Sequence, residues 1–218
     1  MIRVISHSNE SFRNRQEAGR FLADELKYLS GKEAVVLGIP RGGVIVAAEV
    51  ARILNAQLDI VLSRKLGAPY NPELAIGAIA EDGRLFLNQE LASRVRADKG
   101  YIKAEKARQW FEIKERIRRF REVKLKIPLR GKTVIVTDDG AATGATMQAA
   151  LMSLRQEKPA KLIAALPVGA REAVELLADH ADEVIVLRAP DYLGAIGQFY
   201  LDFSQSSDEE VLGILRDG

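Results

Sequence analysis

Val134-Ile135-Val136-Thr137-Asp138-Asp139-Gly140-Ala141-Ala142-Thr143-Gly144-Ala145-Thr146-Met147 sets two adjacent carboxylates at the end of an apolar, β-branched run. Such a run reads as a buried strand, and open α/β sheets bind ligands beyond the carboxyl ends of their strands. The turn that follows opens a helix, whose free N–H groups and positive dipole end attract an anion. Small side chains at Gly140, Ala141, Ala142, Gly144 and Ala145 let the backbone close around a phosphate, and Thr143 and Thr146 add hydroxyl donors. Asp138 and Asp139 would repel that phosphate unless neutral donors or a cation intervened. Ribose hydroxyls and a hydrated Mg²⁺ supply both. An ordinary capped strand-turn-helix is the plain alternative.

Two further loops carry anion-binding chemistry. Leu37-Gly38-Ile39-Pro40-Arg41-Gly42-Gly43 leaves a short apolar strand. Gly42 and Gly43 permit close backbone approach there, and Arg41 can clamp oxyanions bidentately. Arg64-Lys65-Leu66-Gly67-Ala68-Pro69-Tyr70-Asn71-Pro72 leaves the next strand with two cations. A helix-entry turn and a solvated surface loop are the respective plain readings. Other chemistries lack their residues. There is no Gly-x-x-x-x-Gly-Lys-Ser/Thr, no Gly-x-Gly-x-x-Gly and no Gly-x-Ser-x-Gly. Zero cysteines exclude a thiolate nucleophile, and His7 and His180, the only histidines, are expected at the surface.

The elements that must position these loops alternate between strand and helix. Periodicity predicts helices over 11–29 (capped by Ser11, with Phe12, Phe21, Leu22 and Leu26 on one face), 44–54, 144–156, 171–178 and 207–215, the last capped by Ser207 with Glu210 three positions on. Strands are expected over 34–38, 58–62, 74–80, 85–87, 133–137, 162–166 and 183–187, and residues 65–72 as loop. The fold class is therefore α/β, a mainly parallel sheet with helices on both faces, in one domain over 1–218. Residues 91–122 predict a long charged helix within an insertion of about 91–126. Trp110, Ile113, Ile117 and Phe120 form its narrow apolar stripe.

Between Ala92 and Lys132 stand fifteen Lys or Arg against five Asp or Glu, although the net charge of the whole chain is only +2. A basic surface for phosphates or nucleic acid, or a solvated helix, would follow. The stripe could instead face a second copy, or the helix could cover a phosphate-bearing acceptor. No apolar run approaches the ~20 residues that span a membrane, and the N-terminus lacks a secretory pattern. A soluble, cytoplasmic protein is expected.

The fourteen-residue segment resembles the 5-phosphoribosyl-1-pyrophosphate (PRPP) motif of type I phosphoribosyltransferases: apolar residues, two acids, three variable positions, then Thr-Gly-x-Thr. Thr137 stands at a usually apolar position. The resemblance implies that Asp138 and Asp139 hold the ribose hydroxyls and residues 140–146 wrap the 5-phosphate. It implies a pyrophosphate loop at Arg41, Gly42 and Gly43, often with a strained peptide. A mobile loop led by Arg64 and Lys65 would exclude water and neutralise departing pyrophosphate. The Pro-Arg-Gly-Gly, Arg-Lys-x-Gly-Ala-Pro and Gly-x-x-Tyr-Leu-Asp-Phe segments are similar to those of bacterial and archaeal phosphoribosyltransferases with an inserted helix.

From the family follow Mg²⁺ as cofactor, a nitrogen acceptor, a small base-binding hood, and a homo-oligomer, expected to be a dimer. Tyr192, in Pro190-Asp191-Tyr192, is placed to stack on a base, and Asp202 to lie near the metal. Members acting on 6-oxopurines carry Asp where this chain has Ala142, so that acceptor class is disfavoured. A PRPP-sensing regulator that binds RNA through the basic helix is the alternative to the enzyme.

Overall fold

The protein was analysed as a computed structural model that describes residues 1–217. In chain order its elements are β1 (Ile2–Ser6), α1 (Arg15–Leu26), β2 (Ala34–Gly38), α2 (Gly42–Leu54), β3 (Gln57–Ile60), β4 (Arg64–Ala68), β5 (Asn71–Ile79) and β6 (Leu85–Leu87). They continue with α3 (Gln89–Arg94), α4 (Lys99–Val123), β7 (Thr133–Thr137), α5 (Ala145–Arg155), β8 (Lys161–Val168), α6 (Arg171–Ala178), β9 (Glu183–Arg188) and α7 (Asp208–Asp217).

Six strands pair in the order β1-β9-β8-β7-β2-β3, all parallel. Side chains alternate across this sheet. Val134 and Val136 of β7 join Met147, Leu151, Val174 and Leu177 of α5 and α6, whereas Ile135 joins Leu22, Leu26, Val46 and Val50 of α1 and α2. Both faces are thus covered, which is why the strands are apolar throughout. From β2 the chain winds outward to β3, and from β7 it winds the other way through β8 to β9. The ends of β2 and β7, paired at Gly38 and Thr137, flank the point where the winding reverses.

Several expectations are corrected. Ile2–Ser6 is a strand, pairing with β9 at the sheet edge. Residues 65–72 are not a loop: β4 and β5 form an antiparallel hairpin extended by β6, with the pairing slipping around Gly67. Its root is firm, with Leu66, Ile76 and Ile79 buried. The first helix is capped by Asn14, whose side chain accepts from the Glu17 amide at 2.9 Å, and not by Ser11, which donates to the Gln198 carbonyl. Phe21 is 47% exposed rather than part of the buried face. The long charged helix is interrupted. Arg96 adopts φ +55°, and Asp98 caps α4 by accepting from the Tyr101 amide at 2.7 Å. The Ser207 cap stands, accepting from the Glu210 amide.

The stripe of α4 turns inward. Ile113 and Phe120 are buried, and with Trp110 and Ile117 they pack on Val44, Ile60, Leu62, Val211 and Leu215. Ile113 and Phe120 are thus unavailable to a second copy, while Trp110 and Ile117 are half-buried against the same cluster. The basic charge of α4 is also engaged. Arg116 and Arg119 pair with Asp208 and Glu209 of α7, and Arg121 enters a buried pair with Asp59 and Glu81. Arg94 and Lys126 likewise pair with Glu90 and Glu157, so part of the segment's cationic excess meets acids from elsewhere in the chain. Among the described residues no helix is long and apolar enough to cross a membrane.

Candidate active site

β7 delivers Asp138 and Asp139 to the sheet edge, and the segment 140–144 turns into α5 with Gly144 at φ +75°, a left-handed value that favours glycine. The turn is held from β8: the Ala141 amide donates to the Val168 carbonyl at 2.9 Å, and the Ala170 amide donates back to Ala141. Ala142, Thr143 and Thr146 are exposed at the mouth, and Gly140 lies against Ile196, beyond β9. Ala145 begins α5 with its amide donating to the Thr143 hydroxyl at 3.4 Å. An open backbone turn at a helix start, fixed at its root and free at its lip, suits an anionic group.

The two acids differ. Burial, and then the neighbouring charge of Asp139, push the Asp138 carboxyl well above the usual carboxylate range, although it accepts from the Asp139 amide at 2.9 Å. Asp139 is paired with Arg15 from the start of α1, Nε to Oδ2 at 2.8 Å, and its carbonyl accepts from the Tyr200 hydroxyl at 2.6 Å. Burial, followed by the charge of Asp139, raises the Tyr200 phenol well above its ordinary value.

Gly42 and Gly43 open α2, with exposed Arg41 just before them. The Pro40–Arg41 peptide is cis. The glycines let this loop approach the acid pair as well as any ligand. A Cβ on Gly43 would lie 2.7 Å from the Asp138 Cα and from the Thr137 carbonyl oxygen; one on Gly42 would strike the Asp139 carboxylate and come within 2.7 Å of the Arg15 Nε.

Arg64 of β4 pairs with Glu112 of α4, and Lys65 with Glu73 of β5 at 2.7 Å. The Thr143 hydroxyl also reaches Glu73, at 3.4 Å, so the hairpin bends over the phosphate-type turn. The hydrogen bond and charge of Lys65 hold the Glu73 carboxyl below its ordinary range. A cleft of about 270 Å³ joins the parts: Pro40, Ser63, Arg64, Lys65 and Thr146 line it together with Gln109, Glu112 and Arg116 of α4. Of the expected site residues, Arg64, Lys65 and Thr146 line this cleft, with Pro40 beside them and the inserted helix as its wall, whereas Arg41, Gly42, Gly43 and residues 138–145 do not line it.

Tyr192 and Asp202 do not line that cleft, and neither hydrogen-bonds the acid pair or the turn. Tyr192 is 83% exposed beyond β9. Asp202 is exposed, and its carboxylate accepts from the Ser204 amide at 3.1 Å, a bond that lowers its pKa. Arg15, Glu73, Gln109, Glu112 and Arg116 were not anticipated. None lies in a recognisable local pattern; only the charge of the inserted segment hinted at Arg116. Of the two histidines, His7 is exposed, and half-buried His180 bonds Gln148 at 2.9 Å.

Among the described residues no group of three or more His, Cys, Asp or Glu gathers to ligate a metal. The acid pair, one member of which is already matched by Arg15, fits a divalent cation that arrives with a substrate's oxygens better than a resident one.

Comparison with known proteins agrees with this geometry. A family model described as phosphoribosyl transferase domain matches residues 9–204. A curated relative from Mycobacterium tuberculosis, "Putative phosphoribosyl transferase Rv0571c", is 46% identical over 204 residues, covering 94% of this chain and 46% of its own length. The chain thus spans about half the length of the curated relatives it matches. The crystal structure of TT1426 from Thermus thermophilus superposes with a TM-score of 0.90 at 47% identity, covering 95% of this chain and 98% of that one. The AQ2163 protein from Aquifex aeolicus, at 14% identity, a TM-score of 0.51 and coverage of 90% and 91%, shares the fold. The family match takes in all three loops and the sheet edge between them, and the chain therefore belongs to the phosphoribosyl transferase domain family.

Proposed function

We propose that the protein is a PRPP-dependent phosphoribosyltransferase in which a nitrogen nucleophile displaces pyrophosphate from C1 of the sugar. The observation that carries this reading is the placement of the acid pair and the 140–146 turn at the winding reversal, with the Gly42–Gly43 backbone packed against those acids and Lys65 and Thr143 both bonded to Glu73. The turn receives the 5-phosphate, and Asp138 and Asp139 accept from the 2- and 3-hydroxyls. Arg41, with the Gly42 and Gly43 backbone, and Arg64 with Lys65 hold the pyrophosphate. In the reaction the C1–O bond breaks, the oxygen leaves with the electron pair, and the acceptor nitrogen bonds C1 and loses its proton. Fixed cations facing the departing oxygens stabilise charge where it develops. Mg²⁺, when bound with the donor, would neutralise pyrophosphate and polarise its oxygens, with Asp138 and Asp139 nearest to it.

A nucleobase is the proposed acceptor, with 6-oxopurines disfavoured because Ala142 offers no carboxylate to the base. The RNA-binding regulator draws less support than the sequence suggested, since the guanidiniums of Arg116, Arg119 and Arg121 are engaged within the protein. Two measurements test the proposal: thermal stabilisation by PRPP with Mg²⁺, and pyrophosphate release against purines, pyrimidines and small azoles. A ligand that binds only the native state at about 100 times its Kd adds roughly 2.7 kcal/mol. No stabilisation at millimolar PRPP refutes donor binding. Stabilisation without pyrophosphate release, combined with salt-sensitive RNA binding, would favour the regulator.

A further inference from the structure

Arg15 lies outside the phosphate-type turn, yet its side chain is only 10% exposed and reaches the acid pair. It engages Asp139 through one oxygen, Nε to Oδ2 at 2.8 Å, while Nη1 donates to the Ser204 carbonyl at 2.9 Å. Its guanidinium lies 4.0 Å from the centre of the Phe203 ring and 6.0 Å from that of Tyr200. Tyr200 closes the circuit by donating to the Asp139 carbonyl. An arginine free to choose would grip a carboxylate with both arms of its fork. Here Nη1 turns to the Ser204 carbonyl, and Asp139 Oδ1 receives no hydrogen bond from the guanidinium.

We infer that Arg15 is a positioning residue for the phosphoribosyl donor: it fixes the Asp139 carboxylate by Oδ2, keeps Oδ1 turned to the sugar diol, and registers the 200–204 segment on the same acid. The inference rests on the proposed placement of PRPP. Two neighbouring carboxylates facing a polyanion would repel it, and the cation on Asp139 removes one of those charges. Gly42 adds an independent constraint, because a side chain there would displace the Asp139 and Arg15 head groups together. Arg15 thus joins the acid pair to the 200–204 segment, while the pyrophosphate loop is held by its own bond from the Ile39 amide to the Thr137 carbonyl.

Arg15→Met and Arg15→Lys test this, with Kd measured calorimetrically for PRPP plus Mg²⁺, for ribose 5-phosphate and for pyrophosphate alone. Arg15→Met is expected to weaken PRPP and ribose 5-phosphate at least tenfold and pyrophosphate, which has no diol, less than twofold. Arg15→Lys restores the charge but not the Ser204 bond, and should recover part of that loss, ending three- to tenfold weaker than the parent. Parent protein that fails to bind PRPP sinks the functional proposal itself. Parent binding with all three ligands weakened alike, or none weakened, overturns the role of Arg15. If Arg15→Met does not fold, Arg15→Lys decides alone: PRPP affinity within twofold of the parent refutes the inference.

Discussion

The inserted helix is fastened to the sheet by a buried ion cluster, and removing its cation should loosen the wall of the cleft. Arg121, on α4, donates to Asp59 Oδ1 at 2.7 Å, to both oxygens of Glu81, and to the carbonyls of Ile60 and Lys124 at 3.2 Å. The side chains of Arg121, Asp59 and Glu81 are 15%, 1% and 13% exposed, so the screening that makes surface pairs nearly worthless does not apply. Arg121→Met preserves the apolar stem and leaves two carboxylates facing one another without a cation. Breaking a buried pair in this way costs about 3–5 kcal/mol. Asp59 keeps the Ile60 and Ile127 amides as donors, at 2.7 and 3.0 Å, which points to the lower end, about 3 kcal/mol. At 2–4 °C per kcal/mol for a chain of this size, Tm should fall by about 6–12 °C. Urea unfolding followed by fluorescence is the assay, because Trp110, the only tryptophan, sits on α4 and packs against Gly83. Adding Asp59→Asn should return part of the loss by neutralising one stranded acid. A loss below about 1 kcal/mol with an unchanged denaturant slope would show that the cluster is no fastening at all.

Two further perturbations bear on the acid pair. Gly42→Ala meets side-chain ends that can swing aside, so it should cost little stability yet weaken PRPP binding; Gly43→Ala meets the backbone of Thr137 and Asp138 and should lower Tm markedly. Equal effects of the two on melting and on titration with PRPP would contradict that distinction. The Asp138 carboxyl has a raised native pKa, so folding takes up a proton and stability falls as pH climbs from about 4, the unfolded value, through the native one. Asp138→Asn is therefore expected to raise the Tm of the free protein at pH 8, to change it little at pH 4, and to remove stabilisation by PRPP. An unchanged Tm at pH 8 would mean that the carboxylate is not costly there.

What the sequence disclosed is what short stretches encode. The strand, acid pair and small-residue turn of 134–147 are contiguous, and the apolar runs of β2, β7, β8 and β9 announce buried parallel strands. Pairings across the chain left no such trace. Arg15 meets Asp139 across 124 residues, Arg121 meets Asp59 across 62, and each reads as one more arginine on a helix. Ile2–Ser6 has no fully buried residue, and only Val4 is packed against the core, so no alternation betrays it. Residues 65–72 misled because Gly, Pro and Asn dominate their composition, although Pro69 and Tyr70 alone form the turn between the two strands. The break before α4 was readable, since Asp98 is a good cap, but the continuous charge of the segment masked it.

For the proposed reaction, the hairpin over the site bears on the entropy of holding a substrate. A coil that must be ordered over a substrate surrenders about 1–2 kcal/mol of backbone freedom per residue. The β4 and β5 strands surrendered theirs during folding, and Leu66, Ile76 and Ile79 keep the root anchored. The tip is the exposed part of the hairpin, with Tyr70 95% exposed at its apex. In the proposed transferase, binding energy that a floppy cover would consume in ordering itself would then be left for orienting the reactants.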